Sequence, residues 1–127
     1  MKMIPSTEII KVTEDMIKHV REIEDRFQDS PNTPDDVLAG WFGEQNQIWI
    51  MHKTLTIIVF IHEGEIQKEL IKDIRDKFAN HQTECKKRLR FWFNRIFMLK
   101  NTKAELHGEI QCSCLYSAKL NTIINKY

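Results

Sequence analysis

The sequence predicts a single α/β domain of the α+β type, with a mixed twisted β-sheet and helices on both of its faces. Runs of β-branched and aromatic residues, typical of strands, recur along the chain, and the most apolar is LTIIVFI at 55–61. Stretches with apolar residues three and four apart, typical of amphipathic helices, lie between these runs. A length of 127 residues is ordinary for one domain, so we expect one domain over 1–127.

The N-terminal third predicts a strand followed by two helices. A short β-branched segment at 8–12 predicts the opening strand. Thr13 is placed to cap the next helix, in which apolar residues recur at helical spacing as far as Phe27. A second, short helix is predicted over 33–42 from a threonine cap followed by proline and two acids, and Gly43 ends it.

The middle of the chain predicts the centre of the sheet. The alternating run QIWIM at 47–51 indicates a strand, and 52–54 a turn. The segment 55–61 is too apolar for a strand with one wet face, so it predicts a central strand covered on both sides. Helical spacing resumes at Ile66 and predicts a third helix that ends at residue 79 or 80.

The C-terminal third predicts the remaining strands. A polar loop or frayed helical extension is expected at 81–87, followed by a strand at 88–94 that carries aromatic residues. A short helix is predicted over 95–106, a last strand over 107–117 and a weak helix or strand over 119–127. A strand, a helical crossover and another strand imply parallel pairing, which makes the sheet mixed.

Composition restricts the cellular setting. The 19 basic and 18 acidic residues leave a net charge of +1, so no global field attracts nucleic acid. The three cysteines are an odd number in a chain that is not cysteine-dense, which favours a reducing cytoplasm, that of a host cell if the protein is viral. We expect neither a signal peptide nor a membrane partner, because every apolar stretch is far shorter than a membrane helix.

The predicted order of elements resembles the GNAT superfamily of N-acetyltransferases. The resemblance covers about residues 8–117, and compact relatives of this kind are common in bacteriophages, which would suit a viral protein of this length. Three stretches carry it: an opening strand and capped helix, a central strand leading into the cofactor-side helix, and a strand that passes through an asparagine into a short helix. These are IIKVTEDMIKHVREIE, TIIVFIHEGEIQKELIKDIRDKF and FWFNRIFMLKNTKAELHGEI.

This resemblance implies an acyl-CoA N-acyltransferase-like fold with acetyl-CoA or another acyl-CoA as cofactor. A small-molecule or protein amine would attack the thioester, with His62 or Glu63 as the base and Tyr116 as the acid. Asn94 either contacts the cofactor arm or caps the helix that follows it. The remaining cofactor-binding positions surround the start of the third helix: Ile61, Gly64, Ile66 and Gln67.

The segment that corresponds to the family's phosphate loop departs from the family pattern, which leaves a second class of function open. The family places small residues where this chain has Glu65 and Gln67 in HEGEIQ, and acids there oppose an anionic phosphate. The alternative is a catalytically silent binding or virion-associated protein of the same fold, with a protein partner or a homo-oligomeric state. Aromatic residues of the second helix region, Trp41, Phe42 and Trp49, are assigned to the core, with a partner surface as the alternative.

Nucleic-acid binding is a third class, and a metal site is not predicted. Basic residues interleaved with aromatics can hold a single strand by charge and stacking, although the near-neutral net charge argues against it. That patch comprises Lys86, Lys87, Arg88, Arg90, Trp92 and Arg95. We expect no metal, since the histidines and cysteines show no zinc-type spacing: His81, Cys85, His107, Cys112 and Cys114.

Overall fold

The computed structural model describes residues 3–29, 31–91 and 99–127, which form four long α-helices. Helix α1 spans Ser6–Asp29, α2 spans Asp35–Ile61, α3 spans Gly64–Arg90 and α4 spans Lys100–Lys126. These described ranges contain no strand, so the predicted α/β class and its mixed sheet are wrong. The resemblance to the GNAT superfamily is wrong for the same reason, because that fold requires a sheet.

The helices run alternately up and down, and α2 and α4 form the central pair. Each neighbour along the chain packs antiparallel to the last, while α2 and α4 run parallel and lie against each other across the bundle, with α1 on one side and α3 on the other. Each helix contributes one apolar stripe to a single core, as expected for a bundle. The fully buried side chains of this core include Ile9, Met16, Ile23, Ile48, Met51, Leu55, Ile71, Tyr116 and Leu120.

Two glycines allow α2 and α4 to touch at the backbone. A Cβ atom built at Gly43 would overlap the carbonyl oxygen of Glu105, and one at Gly108 would overlap the carbonyl oxygen of Gly40. Any larger residue at Gly43 or Gly108 would push the two helices apart. Gly64 serves a different purpose: its φ of +62° makes the tight junction between α2 and α3, a conformation that L residues rarely adopt.

The predicted strand at 8–12 is wrong, because these residues belong to α1. Its β-branched composition favoured a strand, but Ile9, Val12 and Met16 follow one another at helical spacing and are all buried. The helix predicted from Thr13 therefore begins earlier, at Ser6. Tertiary packing of a continuous stripe outweighs the local β propensity of two isoleucines and a valine.

The predicted strands at 47–51 and 55–61 are also wrong, as is the turn at 52–54, since α2 runs through all of them. Gly43, predicted to end a short helix, lies inside α2 and contacts α4. Short apolar runs do not distinguish a buried strand from a helix that is apolar on more than one side. The helical period is carried only by the buried residues, which are Ile48, Met51, Leu55 and Ile58.

The C-terminal strand predictions fail in the same way. Of the two alternatives for 81–87 the helical extension is confirmed and the loop is wrong, and the first residues of the strand at 88–94 are helical, because α3 continues from Gly64 through to Arg90. The helical alternative for the C-terminal segment is confirmed as far as Lys126. The last strand at 107–117 lies inside α4. The short helix predicted over 95–106 is misplaced, since Leu99 is extended and α4 starts at Lys100; positions 92–98 lie outside the described residues.

Candidate interaction surface on α2

The outer side of the C-terminal half of α2 exposes large apolar side chains. Phe60 is 84 % exposed, Ile61 67 % and Ile50 59 %, while Trp49 and Ile57 are each 45 % exposed. At roughly 200 Å² for a fully exposed large side chain, these five offer about 600 Å² of apolar surface. A continuous patch of this size is at the upper end of what monomeric proteins show and marks an interaction site.

Helical geometry places these side chains on one side of α2. One stripe along this side has residues at three- and four-residue spacing: Ile50, Thr54, Ile57 and Ile61. Beside this stripe lie Trp49, Lys53 and Phe60. We call these seven residues the outer α2 face. The inner side of the same helix supplies its residues of the core, and the large apolar side chains of the outer face remain exposed.

Charge is almost absent from this surface. Lys53 is the only Asp, Glu, Lys or Arg between Glu44 and Glu63. His52 packs edge-on against Trp49, with ring centroids 5.5 Å apart, and burial lowers the pKa of His52, so its imidazole is neutral near pH 7. A surface with one flexible cation and large rigid side chains resembles the core of a protein–protein interface more than a solvated helix face. None of the described helices has the length and apolarity to cross a lipid bilayer.

Two clusters of metal-ligating side chains lie elsewhere in the bundle. On the α3–α4 side, His81 Nε2 lies 3.1 Å from Glu109 Oε1 and 3.4 Å from Cys85 Sγ. His81 and Cys85 are one turn apart on α3, and Glu109 faces them from α4. Cys85 is buried, whereas the side chains of His81 and Glu109 are 39 % and 22 % exposed, so the cluster opens to solvent.

The second cluster joins α1, α2 and α4. Ligand atoms of His19, Glu44 and Cys112 lie within 4.8 Å of one another, and Nδ1 of His19 lies 2.9 Å from the Tyr116 hydroxyl. Glu44 also pairs with Arg26 at 3.6 Å. Burial raises the pKa of the Cys112 thiol to about 12 and lowers the pKa of His19, so both groups are neutral near pH 7.

The predicted catalytic residues do not meet. His62 ends α2 and Glu63 precedes α3, at the end of the bundle where Gln67 of α3 approaches Ser6 of α1. Tyr116 instead contacts His19, which lies thirteen residues along α1 from Ser6, about 20 Å at 1.5 Å per residue. Burial also raises the pKa of Tyr116, which makes it a weaker acid. The structure therefore places the predicted bases and Tyr116 at different levels of the bundle, and their catalytic roles stay predictions.

The predicted cofactor-binding positions among the described residues surround the junction of α2 and α3. Ile61, Gly64 and Ile66 are exposed, and Gln67 is buried with its amide nitrogen donating to the carbonyl of His62 at 2.9 Å. Asn94 lies outside the described residues. The predicted acyl-CoA-dependent N-acyltransferase function relied on an α/β fold, so the helical bundle overturns it. The binding of acetyl-CoA or another acyl-CoA stays a prediction.

The basic patch is divided between described and undescribed residues. Lys86, Lys87, Arg88 and Arg90 are exposed on the last turns of α3, where cations complement the negative end of the helix dipole. Trp92 and Arg95 lie outside the described residues. The strand predicted at 88–94, whose aromatic residues were expected to stack on bases, is helical as far as Arg90.

Comparisons with protein-family models, curated proteins and solved structures give no match to this chain. Function therefore has to be argued from the surface and side chains of the bundle itself. The outer α2 face was missed from sequence because its exposed apolar residues were assigned to buried strands. The signal that could have found it is the helical period of 48, 51, 55 and 58, which leaves 50, 57 and 61 about a third of a turn away from the buried stripe.

Proposed function

We propose that this protein is a self-associating helical bundle, in which two copies pack through their outer α2 faces. The observation that supports this most is the apolar exposure of Ile50, Ile57, Phe60 and Ile61 on a helix whose other side already fills the core. Isologous dimers bury the same patch on both copies, so a single apolar face suffices for both sides of the contact.

The spacing of the stripe fits an antiparallel pair. With the twofold axis between residues 55 and 56, Ile50 faces the partner's Ile61, and Thr54 faces the partner's Ile57. Lys53 lies beside the stripe, where its aliphatic stem can cover apolar surface while the ammonium reaches solvent at the rim. The absence of acids from this segment means that no unpaired carboxylate would be buried.

The size of the surface indicates the class of interface it can form. Two copies of a patch of about 600 Å² would bury roughly 1,200 Å² in total, which is the lower limit of stable specific interfaces. We therefore expect a reversible monomer–dimer equilibrium rather than an obligate dimer. A lipid surface is not favoured, because helices that bind lipid surfaces carry several Lys or Arg residues beside their apolar side, and this face has one cation.

Sedimentation velocity over a wide concentration range tests the proposal. The wild-type protein should move from monomer to dimer as its concentration rises, and Ile57→Glu should remain monomeric because two carboxylates would be buried near the twofold axis. Leu115→Glu is the matched control, since Leu115 is 41 % exposed on α4, away from the outer α2 face. It should dimerise like the wild type.

Two results would reject self-association through this face. One is a wild-type protein that stays monomeric at every concentration, and the other is an Ile57→Glu variant that still dimerises while its far-ultraviolet circular dichroism is unchanged. Cosedimentation of the monomer with phosphatidylglycerol vesicles, lost in Ile57→Glu, would assign the face to lipid and likewise reject the proposal.

A further inference from the structure

In the cluster of His81, Cys85 and Glu109, two groups contact the same atom of the third. Both the carboxylate and the sulfur approach the same imidazole nitrogen, Nε2, at 3.1 Å and 3.4 Å. A neutral imidazole nitrogen carries either one proton or one lone pair. It can therefore make one good hydrogen bond, and the two contacts compete for it. A cation among the three groups would satisfy all of them together.

The distances agree with tetrahedral coordination. Zinc bonds of about 2.0–2.1 Å to nitrogen, 2.0–2.2 Å to oxygen and 2.3 Å to sulfur place nitrogen about 3.4 Å from oxygen and about 3.6 Å from sulfur. The observed separations are shorter by only about 0.2–0.3 Å. All three ligand atoms lie within 4.8 Å of one another, so small side-chain rotations would complete the site.

A nucleophilic Cys–His–acid triad is the competing interpretation, and the geometry argues against it. In such a triad the acid orients the imidazole through one nitrogen while the other nitrogen takes the proton of the nucleophile. Here Glu109 and Cys85 both engage Nε2 of His81. Burial and the neighbouring Glu109 also raise the pKa of the Cys85 thiol, the reverse of an activated cysteine, and Cys85 is only 3 % exposed.

We propose that His81, Cys85 and Glu109 bind a divalent metal ion of the Zn²⁺ class. His81 and Cys85 supply nitrogen and sulfur from successive turns of α3, and Glu109 supplies oxygen from α4, so the ion would clamp the two helices together. Binding converts the Cys85 thiol to a thiolate and releases its proton to solvent. Three protein ligands leave the fourth position to water on the exposed side of the cluster.

The cluster around His19 is a weaker candidate for the same chemistry. Its carboxylate, on Glu44, is already paired with the Arg26 guanidinium at 3.6 Å, and a dication would have to displace that charge. Arg88 also lies near the Cys85 cluster, where it acts to lower the thiol pKa, but Glu84 acts in the opposite direction. The His81 cluster is therefore the site to test.

Titration with Co²⁺ tests the site, because cobalt reports both thiolate ligation and coordination geometry by its absorption. The wild-type protein should show a thiolate-to-cobalt charge-transfer band in the ultraviolet and tetrahedral bands in the visible, saturating at one equivalent and displaced by Zn²⁺. Cys85→Ser should abolish the charge-transfer band. Glu109→Gln and His81→Gln should keep the thiolate and weaken Co²⁺ binding at least tenfold.

Cys114→Ser is the matched control, since Cys114 is exposed on α4 and outside both clusters. It should retain the full spectrum and affinity. The proposal is overturned if the wild type shows no charge-transfer band, if Cys85→Ser retains it, or if Cys112→Ser rather than Cys85→Ser removes it. Circular dichroism verifies folding, and Glu109→Gln provides the decisive variant if Cys85→Ser unfolds: unchanged affinity in that variant rejects the site.

Discussion

At the scale of single residues, a buried ionisable group in the core makes the stability of the fold depend on pH. Cys112 is 1 % exposed in the centre of the bundle, and burial with the nearby Glu44 carboxylate raises its pKa to about 12 from an ordinary value of 9.0. The folded protein therefore holds the neutral thiol more tightly than the unfolded chain does. A raised pKa contributes stability that is complete below pH 9 and is lost as the pH rises toward 12.

We predict an alkaline loss of stability that depends on Cys112. Between pH 8 and pH 10.5 the free energy of unfolding should fall by about 2 kcal/mol more in the wild type than in Cys112→Ala, because only the unfolded state can ionise this thiol in that range. Urea unfolding at the two pH values measures the difference. Cys114→Ala, which removes an exposed thiol, should behave like the wild type; equal losses in both alanine variants would contradict the assignment.

Residue-scale features were only partly predictable from sequence. His81 and Cys85 are four apart, a spacing that places ligands on one side of a helix, but 81–87 was interpreted as a loop or a frayed helical extension, so the spacing was not used. Glu109 could not have been added by spacing, because it reaches the pair only through the packing of α4 on α3. The expectation that the protein binds no metal stays a prediction, and the Co²⁺ titration of the proposed site tests it.

At the scale of elements, α2 shows why the fold class was wrong. Sequence periodicity identifies a helix when one side is apolar and the other is polar. In α2 the C-terminal half is apolar on both sides, so the period is hidden and the segment looks like two buried strands. The same exposed residues produced the wrong fold class and the candidate interface, as expected where a sequence serves something other than folding. Where the pattern is clean, as from Met16 to Phe27, the helix was placed correctly.

The contact between α2 and α4 gives a prediction at this scale. Gly43→Ala should lower the free energy of unfolding by about 1–3 kcal/mol, because its methyl group would overlap the Glu105 carbonyl and separate the central helices. Gly40→Ala, three residues away on the same helix, should be neutral or stabilise by up to about 1 kcal/mol, since its nearest neighbour is an ordinary 3.6 Å away and alanine favours helix.

Chemical denaturation of both variants measures the difference. If Gly43→Ala were as stable as Gly40→Ala, the central helices could not be in backbone contact. The two variants are well matched, because each replaces a glycine of α2 with alanine. They differ only in the space available for the added methyl group.

At the scale of the whole molecule, the helical bundle leaves the outer α2 face available for association with a second copy. The core of one copy takes stripes from all four helices, and the apolar residues on the outside of α2 remain exposed beside it. They do impose a solubility cost that association would remove. The proposed metal site joins α3 to α4 within one copy. His81 also lines a groove with Ile50 and Thr54 of the outer α2 face, so metal binding should be measured on the Ile57→Glu variant as well as on the wild type.

A distance between two copies tests the central claim most directly. In an antiparallel pair centred between residues 55 and 56, spin labels at position 46 of each copy should lie about 30 Å apart, given 1.5 Å per residue and helix axes 8–10 Å apart. Asn46→Cys with Cys114→Ser provides one exposed thiol, since Cys85 and Cys112 are buried. Pulsed electron paramagnetic resonance should give a narrow distribution near 30 Å. An absence of dipolar coupling, or the dipolar broadening of the continuous-wave spectrum expected when a parallel pair brings the labels to about 10 Å, would contradict the account.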